Sequence, residues 1–350
     1  MRSSEKALLA ALSVMICAAL LSACMIEPML RGEYASCQDA KNRETLAGSI
    51  DFLVLGASHA AHSLIPRALD ERLGVHSYNL SGAGLTVYGR AALLEKEMAR
   101  NPIRDIVLEV SFNTLMKTPE TDRYEGDLYL LTRMDSWAER LSFIRRHIPF
   151  SDWDTVYSML LRFAGKYWTA RLTGKSTRNV MYADKGYEHG ESADMTAYAG
   201  EIEPLITDIR PESAEEFRLL IDAAKSGGAN VTVVVVPVSL ARIRAYPGWD
   251  GIMGEISALC AEQGARLYDF NLYKSRQSLF PEERAFHDPI HMSDFGAEAF
   301  TREFARLYPE MKTGLTDELF YGSYDEMLSS FQDADEKNQS ARTGCEEICG

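Results

Sequence analysis

Short apolar runs alternate with amphipathic stretches along most of the chain. Five of these runs are bounded by glycine or polar residues, as is typical of buried strands, and lie at 51–56, 75–80, 106–110, 230–236 and 265–270. The stretches between and after them repeat apolar residues at helical spacing, which predicts helices at 60–73, 86–100, 211–226, 250–263 and 293–308. This alternation predicts a three-layer α/β/α, doubly wound, flavodoxin-like sheet of five parallel strands.

The region from about 116 to 210 does not follow this alternation. Aromatic residues recur there at mixed spacings of three and four, which predicts helices near 133–147 and 152–172 and an irregular loop over 174–200. We therefore expect one α/β domain at 50–311 that carries a helical insertion. The aromatic side chains of the insertion either form a small hydrophobic core or wall a substrate groove.

The N-terminus carries a run of twenty uncharged residues, 7–26, which follows two basic residues. As a helix, this run would span about 30 Å, the thickness of a bilayer core. Residues 21–24 (LSAC) resemble a bacterial lipobox, which implies that 1–26 contains a cleaved signal peptide and that Cys24 is lipidated. An uncleaved membrane anchor and a buried helix are the alternatives. The lipidated signal peptide and the uncleaved anchor both tether the body to a membrane outside the cytoplasm, with 27–49 as a linker.

Composition narrows the choice of partners. The chain has 37 basic and 51 acidic residues and a net charge of −14. Because a phosphate backbone attracts surplus lysine and arginine, we expect no nucleic-acid partner. The six cysteines form no CxxC pair and no histidine cluster has metal spacing, so we expect no metal and no cofactor. The acidic tail at 312–350 is predicted to hold a helix near 323–332 and then an unstructured end, where Cys345 and Cys349 are close enough to pair.

Four candidate functional positions follow different predicted strands, and parallel strands bring such positions to one edge of a sheet. Ser58 comes two residues after the first strand. This position is typical of a reactive hydroxyl on a strand-to-helix turn, or of a helix N-cap. Gly84 and Asn113 follow the second and third strands. Together with the Ser58 N–H they form an oxyanion hole, or they are a turn glycine and a loop asparagine.

The fourth position is a loop after the last strand. Asp288 precedes His291 by three residues, so its carboxylate can turn back to accept from the imidazole Nδ1. That contact leaves Nε2 to take a proton from a hydroxyl. The alternative is a polar loop that leads into the helix capped by Ser293.

These residues together resemble the motif blocks of the SGNH (GDSL-like) esterase and acyltransferase superfamily. The blocks match at 54–58, 79–84, 107–113 and 288–291. Two positions depart from the family pattern: Ala57 stands in place of the usual Asp before the serine, and Phe112 in place of the usual Gly before the asparagine. Neither departure removes a group that the chemistry needs.

Segment 286–297 is similar to the end of the membrane-anchored DltD-like branch of that superfamily. The resemblance implies acyl transfer through a covalent Ser58 ester, with His291 as base and acid and Asp288 as its orienting partner. It also implies a cell-envelope polysaccharide or teichoic-type polymer as substrate and a membrane-bound O-acyltransferase as partner. Hydrolysis and transfer both remain open. A catalytically inactive accessory lipoprotein of an envelope-polymer complex is the alternative.

Three further histidines lie near these motifs. We expect His59, directly after Ser58, to cap a helix or face solvent, with lining of the site mouth as the alternative. We expect His62 at the surface or at the edge of the core, and a structural role for His287. A nucleotide-binding interpretation rests only on the turn 81–84, which lacks both the GxGxxG pattern and a P-loop lysine.

Overall fold

The computed structural model describes residues 12–13, 17, 20–30, 49–116, 125–173, 185–198, 200–202, 208–314 and 316–332. The following predicted features lie outside these described residues: the first eleven residues of the signal peptide or anchor, linker positions 31–48, loop positions 174–184, and the tail beyond 332 with its cysteines.

Five parallel strands form a single sheet. They are β1 Phe52–Leu55, β2 Ser77–Asn79, β3 Asp105–Glu109, β4 Asn230–Val235 and β5 Leu267–Asp269. Their order across the sheet is β2-β1-β3-β4-β5, and every neighbouring pair is parallel. This order confirms the predicted doubly wound fold. The winding direction changes between β1 and β3, so their carboxyl ends flank the crevice where such sheets bind ligands.

Helices cover both faces of the sheet and form the insertion. They are α1 Ser58–Ala61, α2 Pro66–Leu73, α3 Val87–Met98, α4 Glu125–Leu128, α5 Trp137–His147, α6 Trp153–Thr173, α7 Pro211–Ser226, α8 Leu240–Arg244, α9 Trp249–Glu262, α10 Arg276–Leu279 and α11 Asp294–Met311. Helices α4, α5 and α6 belong to the insertion. Residues 324–332 are helical, as predicted for the start of the tail.

Alternate residues of the central strands point to opposite layers. Leu53 and Leu108 join the apolar core that contains side chains of α3, α7 and α9. Val54 and Val107, one position earlier or later, join the core formed with α2 and α11. Because both faces are covered, the strands are continuous apolar runs rather than alternating ones.

The helix predicted at 60–73 is two helices, α1 and α2, which corrects the sequence-based boundary. Pro66 is the first residue of α2 and disfavours helical geometry for Ile65 before it, whose ψ is 107°. The Asn79 side-chain amide holds the break by donating to the carbonyl oxygens of Ala60 at 2.7 Å and Leu64 at 2.9 Å. The short helix α1 is thereby fixed immediately after β1.

The N-terminal helical stretch continues further than the predicted linker boundary. Residues 20–30 are helical, and Ile26, Met29 and Leu30 are buried against the core. The predicted linker therefore begins no earlier than residue 31. None of the helices that the structure describes is both long and apolar enough to cross a membrane.

Candidate active site

The structure brings Ser58, His291 and Asp288 into one hydrogen-bonded chain. His291 Nε2 lies 2.8 Å from Ser58 Oγ, and His291 Nδ1 lies 2.8 Å from Asp288 Oδ2. Ser58 and His291 are 233 positions apart in sequence. They meet because each lies in a connection at the carboxyl edge of the sheet. The His291 side chain is 18% exposed, so it is partly shielded from water yet open to a ligand.

Ser58 begins α1 directly after a tight turn, residues 56–58, called here the serine turn. Ala57 occupies the cap position without a side-chain hydrogen bond, so the N-cap interpretation of Ser58 is wrong. The Ala57 N–H donates to Glu109 Oε2 at 2.8 Å. A Cβ on Gly56 would lie 2.5 Å from that oxygen and 2.8 Å from the Ala60 Cβ. Only glycine therefore lets the turn pass this close to β3.

The loop that carries Asp288 and His291 is held by its own backbone. Asp288 Oδ1 accepts the N–H groups of Ile290 at 2.8 Å and His291 at 2.9 Å, which is an Asx-type turn. The carbonyl oxygen of Pro289 accepts the Ser239 N–H at 3.0 Å. Carboxylate and imidazole are thus held in position by the fold itself.

The electrostatics of this loop keep Asp288 ionised. Burial alone would raise the pKa of Asp288, but the His291 hydrogen bond and charge, with the two backbone N–H groups, hold it well below its usual range. An ionised Asp288 accepts from the Nδ1–H of His291. That tautomer leaves the Nε2 lone pair facing Ser58, in position to take the hydroxyl proton.

Gly84 and Asn113 lie on neighbouring loops at the same sheet edge. Gly84 has a left-handed φ of 67°, and among the described residues no backbone carbonyl accepts its N–H. Asn113 Oδ1 accepts from Ser111 Oγ at 2.9 Å, which leaves the amide nitrogen to donate elsewhere. The Gly82 N–H donates to Gly56 O at 3.4 Å and connects the Gly84 loop to the serine turn. Stabilisation of an oxyanion by these two residues stays a prediction.

His59 is buried, which corrects the expectation that it caps a helix or faces solvent. It is 4% exposed, and its ring centroid lies 5.4 Å from that of His291 and 5.7 Å from that of Phe112. Burial lowers the pKa of His59, although Glu109 and Asp288 oppose this shift. A neutral imidazole therefore packs against the ring of His291. The sequence pattern could not show that Phe112 and β3 cover this ring.

Glu109 is a fully buried carboxylate beneath the serine turn. It ends β3, and its Oε2 lies 3.8 Å from Arg90 Nη2 while its Oε1 lies 3.6 Å from His59 Nδ1. Arg90 Nη1 also donates to the Glu109 carbonyl oxygen at 2.5 Å. Burial alone would raise the pKa of Glu109, but His59, Arg90 and the Ala57 N–H hold it below its usual value. One anion thus anchors the turn and compensates a buried cation.

His62 is also buried, at 5% exposure, rather than at the surface. Its Nε2 lies 3.5 Å from Glu188 Oε2, and its ring centroid lies 5.1 Å from that of His291. The Glu188 N–H donates to Ala61 O at 2.9 Å, which fixes this loop to α1. Two buried imidazoles therefore pack against His291 and shield it from water.

Sequence reasoning missed Glu109, Arg90 and Glu188. One signal was present for Glu109, because an acidic residue interrupts an otherwise apolar buried run at 106–110. Arg90 and Glu188 had no such signal, since a charged residue is ordinary in an amphipathic helix or a polar loop. His287 lies outside the Ser58 chain, with its Nδ1 2.9 Å from the carbonyl oxygen of Glu191.

Helix α4 places the insertion against the Gly84 loop. A Cβ on Gly126 would lie 2.1 Å from the Gly84 carbonyl oxygen, so the two backbones touch. The buried carboxylate of Asp127 accepts from the Thr86 hydroxyl at 2.6 Å and from its N–H at 3.1 Å. Among the described residues, no group of three or more His, Cys, Asp or Glu side chains is placed to hold a metal ion.

The aromatic residues of the insertion divide into two sets. Phe143, Phe163 and Tyr167 are buried in the core shared with α3, α7 and α9, as the core interpretation expects. Trp137 and Tyr157 are exposed.

No family model matches the chain, and no curated protein matches it. Among solved structures, a Streptococcus pneumonia protein described as a candidate platelet activating factor aligns over 85% of this chain and 98% of its own, at 10% identity and a TM-score of 0.38. YxiM from Bacillus subtilis aligns over 78% of this chain and 59% of its own, at 14% identity and a TM-score of 0.38. The fold assignment therefore rests on the strand order of this chain, and the site on its own geometry.

Proposed function

We propose that this chain is a serine esterase or O-acyltransferase of the SGNH type that works through a Ser58 acyl-enzyme. The observation that carries the proposal is the pair of hydrogen bonds that links Ser58 Oγ to His291 and His291 to Asp288, each 2.8 Å long. A serine, a histidine and an ionised carboxylate in this order form the constellation that activates a hydroxyl for acyl transfer.

In the first half-reaction, Ser58 Oγ attacks the carbonyl carbon of an ester while His291 Nε2 takes the hydroxyl proton. The carbonyl oxygen becomes an oxyanion, which the N–H groups of Ser58 and Gly84 and the Asn113 amide stabilise. The intermediate then expels the alcohol oxygen. His291 returns its proton to that oxygen, so the alcohol leaves neutral and the acyl group stays on Ser58.

In the second half-reaction, His291 takes a proton from an incoming hydroxyl, which attacks the Ser58 ester. Water as the attacking group gives hydrolysis, whereas a hydroxyl of an acceptor gives transfer. His291 then protonates Ser58 Oγ as the acyl group departs. Asp288 stays ionised throughout and stabilises the imidazolium that forms in each half-reaction.

The proposed substrates are acyl esters, such as acetyl esters, of a cell-envelope polysaccharide or teichoic-type polymer. The support is the similarity of segment 286–297 to the DltD-like branch and of residues 21–24 to a lipobox. On this proposal the chain is extracytoplasmic, held at a membrane by lipid on Cys24 or by an N-terminal anchor, and works beside a membrane-bound O-acyltransferase.

A fluorophosphonate probe tests the chemistry, because it reacts with serines activated by a neighbouring base. We expect the purified chain to gain the probe mass on the peptide that contains Ser58, and Ser58→Ala to gain none. Ser278→Ala removes a serine on α10 instead and should label at the wild-type rate. Labelling of Ser58→Ala at the wild-type rate, or no labelling of the folded wild-type chain, overturns the assignment.

Whether water or an acceptor hydroxyl attacks the Ser58 ester needs a separate measurement. The chain is incubated with 4-nitrophenyl acetate, with and without an oligosaccharide acceptor, and the products are analysed by mass spectrometry. Transfer predicts an acetylated oligosaccharide that Ser58→Ala does not form. Hydrolysis predicts free acetate alone, at a rate that the acceptor does not change.

A further inference from the structure

Exposed apolar side chains are concentrated in one part of the described molecule. Nine of its eleven large exposed apolar side chains belong either to the N-terminal stretch or to segment 137–173, which contains α5 and α6. The two most exposed are Phe150 and Leu172, each 82% accessible. The five on segment 137–173 are called here the apolar face: Trp137, Leu141, Phe150, Tyr157 and Leu172. Exposed apolar side chains concentrated on one segment are typical of an interaction surface.

The N-terminal stretch is held against the same two helices. Trp168 Nε1 on α6 donates to the Met25 carbonyl oxygen at 3.0 Å, and Arg140 on α5 lies 3.2 Å from Glu27 Oε2. Leu172 is four residues after Trp168 and so lies on the same side of α6. Cys24 and Met25, near the end of the uncharged run, are exposed and lie beside the helix that carries Leu172.

The charge of this part differs from that of the whole chain. Segment 137–173 has six basic and three acidic residues, a net charge of +3, whereas the chain carries −14. Arg145, Lys166 and Arg171 are exposed there. A basic surface with exposed aromatic and aliphatic side chains is the pattern of helices that lie in a membrane interface. Two copies packed through this surface would bring like charges together, which disfavours a symmetric dimer.

We propose that α5 and α6 form a docking face that lies on an anionic lipid bilayer. Phe150 and Leu172 insert their side chains at the level of the headgroups, and Arg145, Lys166 and Arg171 meet the lipid phosphates. The occupant is the membrane surface itself, because this segment is basic and the described end of the uncharged run, at Met25, is held against α6. The docking does not depend on Ser58 chemistry.

Docking in this orientation has a consequence for the candidate site. The insertion that carries the apolar face also touches the Gly84 loop through Gly126. The body of the protein is thereby set in a fixed orientation on the lipid rather than swinging on its N-terminal tether. A polymer held at the membrane would then approach Ser58 from a constant direction.

The experiment uses the full chain incorporated into vesicles of phosphatidylcholine with one quarter phosphatidylglycerol. A tryptophan reporter is placed on the face by Phe150→Trp, and a matched reporter off the face by Leu319→Trp, a leucine on the segment beside β5. Bromine on the acyl chains quenches only tryptophans that lie in the membrane. We expect brominated vesicles to quench at least about half of the emission added by Phe150→Trp and none of that added by Leu319→Trp.

The charge contribution is tested on the same reporter. Vesicles of phosphatidylcholine alone, or Lys166→Glu with Arg171→Glu, should lower the quenching about twofold or more. If the chain floats with the vesicles but the Phe150→Trp reporter is not quenched, only the N-terminus is attached and the proposal is wrong. Failure to float, or a dimer that Phe150→Asp abolishes in detergent, also overturns it. Fluorophosphonate labelling of these variants is measured separately, so failure of one proposal is not confused with failure of the other.

Discussion

At the scale of single residues, the environment decides the protonation of two aspartates, Asp288 and Asp269. Asp288 is held ionised by four interactions that favour its charge. Asp269 is 7% exposed at the end of β5, and burial raises its pKa to about 6 in spite of the Tyr324 hydroxyl, which donates to it at 2.5 Å. An aspartate is thus held ionised at position 288, whereas at position 269 its ionisation lowers the stability of the fold.

The raised pKa of Asp269 predicts a loss of stability as the pH rises from about 4 to about 6. Its folded pKa of about 6 exceeds the unfolded value of about 3.9, so the folded state binds the proton more tightly. The stabilisation is complete below about pH 4 and is lost as the pH rises through 6, at a cost of about 3 kcal/mol. We expect Asp269→Asn to flatten this fall in the free energy of unfolding, measured by urea titration from pH 4 to 7.

Asp222→Asn, on the exposed surface of α7, is the control and should keep the wild-type slope. An Asp269→Asn chain that loses stability over this range as steeply as the wild type would contradict the assigned pKa.

The buried pair of Arg90 and Glu109 predicts strong coupling. Glu109→Gln and Arg90→Met each leave one charge buried without its partner, which should cost about 3–5 kcal/mol of the free energy of unfolding. The double variant removes both charges and should cost clearly less than the sum of the two. Denaturant titration of all four chains gives the coupling energy, and simple additivity would show that no ion pair forms.

At the scale of elements, close backbone approach joins the insertion to the sheet edge. The contact between Gly126 and Gly84 leaves no room for a side chain, and Thr86 with Asp127 closes the same junction. Thr86 also caps α3, because its hydroxyl accepts the Gly89 N–H. The conformation of the Gly84 loop is therefore set by a helix that follows it by some forty residues.

This junction predicts a rate effect for a single methyl group. Gly126→Ala would push against the Gly84 carbonyl and displace the proposed oxyanion donor, so we expect fluorophosphonate labelling of Ser58 to slow about tenfold or more. Gly165→Ala is the matched control, because a Cβ there meets nothing within 4 Å in the middle of α6. It should label at the wild-type rate and raise stability by about 0.5–1 kcal/mol. Equal labelling rates for Gly126→Ala and Gly165→Ala would show that the Gly84 loop does not contribute to the reaction of Ser58.

At the scale of the whole molecule, the insertion and the sheet share one hydrophobic core. Leu160 and Phe163 of α6 belong to the same buried cluster as Leu53 of β1 and Phe217 of α7. Buried apolar side chains of the insertion therefore pack into the same core as those of the α/β body.

A shared core predicts one cooperative unfolding transition. Phe163→Ala should cost about 3–5 kcal/mol and lower that single transition, because the ring is 3% exposed. Phe150→Ala removes a ring that is 82% exposed and should change stability by less than about 0.5 kcal/mol. Calorimetry distinguishes the cases. A separate low-temperature transition that Phe163→Ala alone shifts would show that the insertion unfolds independently.

The elements were predictable where their signals are local. Every strand and most helices lie within a few residues of the positions that periodicity indicates, because side-chain spacing reflects which face is buried. Pro66 was a local signal for a break, and the prediction of a single helix over 60–73 did not take it into account. The burial of His59 and His62 had no local signal, since the groups that cover them come from β3 and from the loop around Glu188.

The sequence by itself determined the parallel α/β fold, the placement of Ser58 after β1, and the turn that joins Asp288 to His291. These features depend on periodicity and on turn chemistry between residues only a few positions apart. Only the tertiary structure decided that His291 meets Ser58 across 233 positions, and that Glu109 beneath the turn pairs with Arg90. The physical reason is that desolvation and charge pairing depend on which distant segments exclude water from one another, and that is settled only when the chain folds.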